Sequence, residues 1–223
     1  RVIHNGVDVG RFQPRDAADL RHELGIADDE GVVGMFASFK AQKNHPLLFA
    51  AARQVLARQP RTRFMFVGEQ LYGGMHGSDE YRESMDRLVT ESGIRERCLF
   101  LGNRDDVARL YCVCDLTVLP SLFEGTPNVL LESMACGVAS VATDVSDNAE
   151  VAPDGQVGFV VRLGDDKAMA DRICQLLEDR ELRQRLGRQA RSWVEANYSS
   201  LQLAARTAAV YQAALSDRKI GSS

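Results

Sequence analysis

Short apolar runs punctuate the chain at residues 32–37, 64–67, 98–101, 116–119, 139–142 and 158–161. Continuous runs this short suit strands covered on both faces better than they suit helices. Between them, apolar residues recur at helical spacing over 46–58, 78–92, 107–112, 128–136 and 166–177. A regular strand and helix alternation predicts an α/β fold, a doubly wound parallel Rossmann-like sheet of about six strands with helices on both faces. After residue 161 the pattern changes. Two helical stretches, 181–196 and 201–215, follow without a further strand, which predicts a helical tail packed on the sheet. Within it Trp193, Val194, Tyr198, Val210 and Tyr211 are expected to serve packing. The boundaries that follow are an entry segment over 1–14, one domain over 15–215 and a disordered polar end over 216–223.

Composition narrows the function. With 31 acidic against 27 basic residues, a net charge of -4 and no basic cluster, nothing favours a nucleic-acid partner. No apolar run approaches the roughly 20 residues that span a bilayer. The start Arg1-Val2-Ile3-His4-Asn5 lacks the apolar stretch of a signal peptide, so a cytoplasmic protein is expected. The five cysteines, Cys98, Cys112, Cys114, Cys136 and Cys174, read as reduced thiols in apolar surroundings. Cys112-x-Cys114, alternate residues entering a strand, reads as packing rather than as a metal or redox pair.

In a doubly wound sheet, ligands lie beyond the carboxyl ends of the strands, so the loops after the apolar runs are the places to search. They contain Ser38, Lys40, Lys43 and His45, then Gly68-Glu69, then Gly102-Asn103-Arg104-Asp105-Asp106, then Phe123-Glu124-Gly125-Thr126-Pro127, then Thr143-Asp144. Thr126 suits a helix N-cap and Pro127 the first helical position. The free N–H groups there, with Gly125 permitting close approach, suit a diphosphate. Glu124 stands just before that helix and Glu132 inside it, so the carboxylates bracket the anion site across roughly 8–9 Å of helical rise. A nucleoside diphosphate sugar, with a hydroxylated ring on either side of its diphosphate, matches that spacing. Taken alone, the pair reads as a solvated loop acid and a surface helix acid. Glu69 is expected to line the cleft, with 71–77 as its rim. His45 reads as a helix-start residue, and His4, His22 and His76 offer no firmer role. No metal is expected, since Asp-x-Asp and histidine clusters are lacking and Asp105-Asp106 suits a helix cap.

The stretch Phe123-Glu124-Gly125-Thr126-Pro127-Asn128-Val129-Leu130-Leu131-Glu132-Ser133-Met134-Ala135-Cys136-Gly137 closely resembles the Glu-x7-Glu motif of the retaining, GT-B-fold glycosyltransferases of family 4, the glycosyl transferases group 1. Asn5-Gly6-Val7-Asp8, Gln42-Lys43-Asn44-His45, Leu101-Gly102-Asn103-Arg104, Ala142-Thr143-Asp144 and Asp154-Gly155 occur in the same order as in that family. The resemblance implies that Glu124 contacts donor-sugar hydroxyls, Glu132 the ribose diol and Lys43 the diphosphate, with Gly125 and Thr126 amides assisting. It implies a donor substrate, a nucleoside diphosphate sugar carrying UDP or GDP, and no tightly bound cofactor. Gly102 and Asn103 are expected near the base. Members usually carry arginine where this chain has Ser38, which leaves Lys40 as the alternative second cation.

The resemblance also implies that a missing N-terminal domain supplies the acceptor, a glycan, lipid or small molecule, and with it any peripheral contact with the inner membrane face. This half alone is then expected to bind donor but to turn over poorly. Two rivals stay open. A non-catalytic sugar-nucleotide-binding module is suggested by Ser38, and a nucleotide-sugar epimerase shares the anion-binding helix.

Overall fold

The computed structural model describes residues 2–68 and 78–220, without the side chains of 78, 79, 82 and 216–220. Six strands, β1 (Gly31–Phe36), β2 (Thr62–Val67), β3 (Cys98–Gly102), β4 (Leu116–Leu119), β5 (Ala139–Thr143) and β6 (Gly158–Val161), form one sheet. All are parallel, in the order β3-β2-β1-β4-β5-β6. The principal helices are α1 (Ala18–Glu23), α2 (His45–Arg58), α3 (Ser78–Glu91), α4 (Val107–Val113), α5 (Asn128–Ala135), α6 (Asn148–Val151), α7 (Asp166–Glu178), α8 (Arg180–Asn197) and α9 (Ser200–Ile220). The expected doubly wound sheet is therefore present, with strand ends within two residues of the apolar runs. Helices α1 and α6 escape the periodicity because six and four residues are too few to repeat a 3.6-residue pattern.

Burial on both faces explains the unbroken apolar runs. Val32 and Phe36 of β1 join Met65, Leu110, Leu130 and Val194 in one core cluster. Val33 and Met35, on the other face of the same strand, join Phe49, Phe64 and Ile173 in a second. Neither face of β1 meets water, so alternation between polar and apolar residues is absent.

The tail departs from expectation. In α8, Val194 is fully buried and Trp193 donates to the Val151 carbonyl at 3.0 Å, and Tyr198, just after the helix, is nearly buried. In α9, however, Tyr211 is 68% exposed and Leu201 82% exposed, so Tyr211 is not a core residue of this sheet. Both sheet faces are already covered, one by α4, α5 and α8 and the other by α2 and α7. Helix α9 also continues past 215 to Ile220, through positions expected to be disordered; residues 221–223 lie outside the described residues. The entry segment is tied down beside this joint. Val7 donates to the Tyr198 carbonyl and accepts from the Ser200 amide. Arg191 donates to the carbonyls of Val9, Phe12 and Ala135.

Glycines set how closely α8 approaches the sheet. Gly137 ends α5 with φ +73°, and a Cβ on Gly187, midway along α8, would stand 2.1 Å from the Gly137 carbonyl oxygen. Alanine in a helix interior ordinarily stabilises relative to glycine by up to about 1 kcal/mol. Here the clash is with backbone that cannot turn aside, so the sign reverses. Gly187→Ala is expected to lose about 2 kcal/mol of stability, measured by urea unfolding; an unchanged or raised midpoint would show that α8 shifts freely.

Candidate functional site

The strand order reverses between β1 and β4, so the loops that follow these neighbours diverge to opposite sides and leave a crevice between them. One crevice wall is the loop after β1, which ends in a short 3-10 turn at Ala41–Lys43 and a left-handed Asn44 at φ 52°, ψ 48°. The other is the loop between β4 and α5. The two are sewn together by backbone and amide contacts. Leu122 N–H donates to the Gln42 carbonyl at 2.9 Å. Gln42 Nε2 donates to the Phe123 carbonyl at 2.8 Å, and Asn44 Nδ2 to the Pro120 carbonyl at 3.0 Å.

Across this seam Lys43 Nζ donates to Glu124 Oε1 at 2.7 Å. The glutamate side chain is 8% exposed and the lysine 18%, so the pair is shielded enough for its charge to matter. The same Oε1 accepts from Ser121 Oγ at 2.6 Å. Ser121 is held in turn. Thr143 Oγ1 donates to its carbonyl at 2.7 Å, and Asn148 Nδ2 donates to the Thr143 carbonyl at 2.9 Å. Ser121, Thr143 and Asn148 are fully buried, so the ends of β4 and β5 and the start of α6 back the one carboxylate. The Glu124 amide donates to Ser146 Oγ at 3.0 Å, where Ser146 has φ 49°.

The amides that follow are free. Among the described residues, the N–H groups of Gly125, Thr126, Asn128 and Val129 have no partner, and a Cβ placed on Gly125 would meet nothing within 4 Å. Free amides at a helix start next to a lysine form an anion-binding concavity. Glu132, further along α5, has a different setting. Its Oε2 accepts from Tyr111 Oη at 2.8 Å. Tyr111 itself is stacked on Phe36, ring centroids 3.8 Å apart. Burial pushes the Glu132 carboxyl above its ordinary range, opposed by the Tyr111 hydrogen bond and the Arg11 charge.

A match to the family described as Glycosyl transferases group 1 covers residues 16–193. The chain belongs to this family. It is 30% identical over 221 residues to the N-acetyl-alpha-D-glucosaminyl L-malate synthase of Bacillus anthracis, covering 99% of this chain and 55% of that protein. Among solved structures it resembles Anabaena HepE in complex with UDP, with TM-score 0.88 and 26% identity over 96% of this chain and 57% of that one. Sucrose-phosphate synthase from Thermosynechococcus elongatus gives TM-score 0.87 and 27% identity, over 97% of this chain and 53% of the other. The chain spans about half the length of the curated relatives it matches.

Within this glycosyltransferase domain the sequence-derived site residues among the described residues fall into four groups. Lys43 and Glu124 meet directly, with Gly125, Thr126 and Pro127 beside them. Glu132 stands apart on Tyr111. Gly102 and Asn103 close β3, at the sheet edge two strands from β1; Gly102 has φ +63° and accepts from the Gly68 amide at 2.9 Å. Lys40 is exposed and, among the described residues, unpaired, whereas Ser38 is half-buried and accepts the Lys40 amide through its carbonyl. Glu69 lies outside the described residues.

Two local expectations are corrected. Helix α5 begins at Asn128, with Pro127 in the cap position; the Thr126 hydroxyl accepts from the Asn5 amide at 3.4 Å and caps nothing. Asp106 precedes α4 without a side-chain cap, because Arg104 holds both its oxygens at 2.8 Å. Ser121, Ser146 and Tyr111 were missed, although Ser121, three residues before Glu124 in a strand-end loop, was within the searched stretch. A cavity of about 440 Å³ opens at the opposite edge, at the amino ends of β1, β4 and β5, where Arg183 pairs with Asp115 at 2.9 Å and Arg21 donates to the Glu30 carbonyl at 2.7 Å. Among the described residues, no helix is long and apolar enough to cross a membrane.

His45 opens α2, as expected, and stacks on Phe39 at 4.3 Å. Burial, then the nearby Lys43 charge, lowers its pKa from 6.5 to about 4, so at neutral pH the ring is uncharged. A folded pKa below the unfolded one means the unfolded chain takes up the proton first. Stability is thus intact above pH 6.5 and lost as pH falls toward 4, by about 3 kcal/mol in total. His45→Phe should remove that share of the acid loss between pH 6.5 and 4 in urea titrations; an identical slope in both proteins would contradict it.

Proposed function

We propose that this chain is the donor-binding half of a retaining glycosyltransferase, taking a nucleoside diphosphate sugar into the crevice between β1 and β4. The observation that carries this reading is the Lys43–Glu124 pair at 2.7 Å beside four unpartnered amides. The two charges hold each other where a ligand would separate them. An incoming diphosphate is the better partner for Lys43 and the free amides at Gly125 and Thr126. Glu124, released from the lysine but kept by Ser121, then accepts hydrogen bonds from sugar hydroxyls. Glu132 serves the ribose diol, with the Tyr111 hydroxyl as the partner it already holds.

When the glycosidic bond breaks, negative charge grows on the leaving diphosphate. A fixed ammonium and amides there lower the barrier without reorganising at the moment of reaction. Lys40, exposed and unpaired among the described residues, supplies the second cation in place of the arginine that Ser38 replaces. The reading needs no metal or tightly bound cofactor. UDP is the favoured nucleotide, since the similar Anabaena structures hold UDP and UDP-glucose; GDP is the alternative. The acceptor, a glycan, lipid or small molecule, belongs to a further domain. Without that wall the chain binds donor but transfers sugar poorly, because orientation of two substrates is worth on the order of 7 kcal/mol or more.

Calorimetric titration with UDP, UDP-glucose, GDP and GDP-mannose tests the reading. Lys43→Ala is expected to weaken nucleotide binding roughly 10- to 100-fold, the loss of one or two charge-assisted contacts. Glu124→Gln is expected to leave UDP affinity within about threefold, since it frees Lys43, while abolishing any gain from the attached sugar. Equal losses for UDP and UDP-glucose in Glu124→Gln would contradict the division of roles. Absence of binding by any nucleotide at millimolar concentration would contradict the donor reading itself.

A further inference from the structure

Helices α4 and α5 carry two cysteines that the proposed sugar chemistry leaves unused. Cys112 lies in the last turn of α4, directly after Tyr111, and Cys136 stands at the C-terminal end of α5, its amide donating to the Glu132 carbonyl at 3.0 Å. The two Sγ atoms converge on one acceptor, the Ala108 carbonyl oxygen, at 3.5 and 3.7 Å. Cys114 packs as expected, donating to the Leu110 carbonyl at 3.3 Å inside the core. Cys98 and Cys174 belong to the core cluster on the opposite face of the sheet.

We propose that Cys112 and Cys136 are a redox-responsive pair that closes into a disulfide and clamps α4 to α5. Exposure sets the order of events. Cys112 is half-buried and Cys136 buried, so a small disulfide such as oxidised glutathione meets Cys112 first. The Cys112 thiolate attacks one glutathione sulfur and expels the other as thiolate, leaving a mixed disulfide. Cys136 then loses its proton to solvent and attacks the Cys112 sulfur, forming the intramolecular bond and releasing the second glutathione. Two protein thiols are oxidised by two electrons, and one oxidised glutathione is reduced to two thiols.

The surroundings favour that direction. The Cys136 thiol beside it, with further help from Arg15, holds the Cys112 pKa below its ordinary range against the opposing effect of burial. Cys136, buried beside that group, is held above its ordinary range. Capping Cys112 removes the negative charge that retains the Cys136 proton, so the second step follows the first. The clamp joins the residue after Tyr111 to the residue four beyond Glu132, and so fixes both members of that hydrogen bond relative to each other.

The test is incubation of the folded chain with oxidised glutathione at pH 7.5, then thiol counting, disulfide mapping and amide hydrogen exchange. Free thiols are expected to fall from five to three, with a Cys112–Cys136 crosslink that dithiothreitol reverses. Exchange across Val107–Val113 and Asn128–Ala135 is expected to slow several-fold. In Cys136→Ser the reaction should stop at one glutathione adduct on Cys112. Five titratable thiols after incubation, a crosslink elsewhere, or a crosslink without slower exchange would overturn the proposal.

Discussion

The site depends on one reversal in strand order. Because β1 and β4 are hydrogen-bonded neighbours whose following segments leave toward opposite sides, residues 81 positions apart face each other at their ends. That constraint creates the crevice, and the Lys43–Glu124 ion pair occupies it. The pair is a poor explanation of stability, since removing two charges from water offsets much of their attraction. Its meaning is positional. In the proposed function a lysine and a glutamate, each mostly shielded and each satisfied chiefly by the other, exchange partners with a ligand that carries both anions and hydroxyls.

Support for this pair comes from below rather than from the rim. Ser121, Thr143 and Asn148 form a buried relay of hydrogen bonds reaching from α6 through the end of β5 to the Glu124 carboxylate. Small polar residues buried at strand ends are costly unless they are bonded, and here each donates to the next segment. The exposed rim beyond it, Leu122 and Phe123 at 42% and 59% exposure, is left to whatever approaches the crevice.

The sheet was legible because its strands are covered on both faces and therefore appear as unbroken apolar runs. The crevice was legible for a related reason: the loops at strand ends are where a parallel sheet gathers its chemistry. What stayed hidden depends on contacts distant in sequence. Nothing in the order of residues places Tyr111 against Glu132, or Cys112 against Cys136, until α4 and α5 are packed together. Local capping rules failed at Thr126 because distant Asn5 takes its hydroxyl, and at Asp106 because Arg104, two residues away, holds both its oxygens. Periodicity also misplaced Tyr211, because helical spacing shows that a face is apolar without showing which surface covers it. Where Glu124 and Lys43 were named, the motif and the position in the sheet agreed, and the geometry brings those two together.

The central claim is that the crevice between β1 and β4 receives the diphosphate of a sugar nucleotide. The most direct measurement is a titration of the ¹⁵N-labelled chain with UDP, followed by amide chemical shifts. The account predicts saturable shifts at Gly125, Thr126, Asn128 and Val129 and along the loop from Lys40 to Asn44, with Asp115 and Gly137 at the opposite edge unmoved. Saturable shifts confined to that opposite edge, or none at the start of α5, would contradict it.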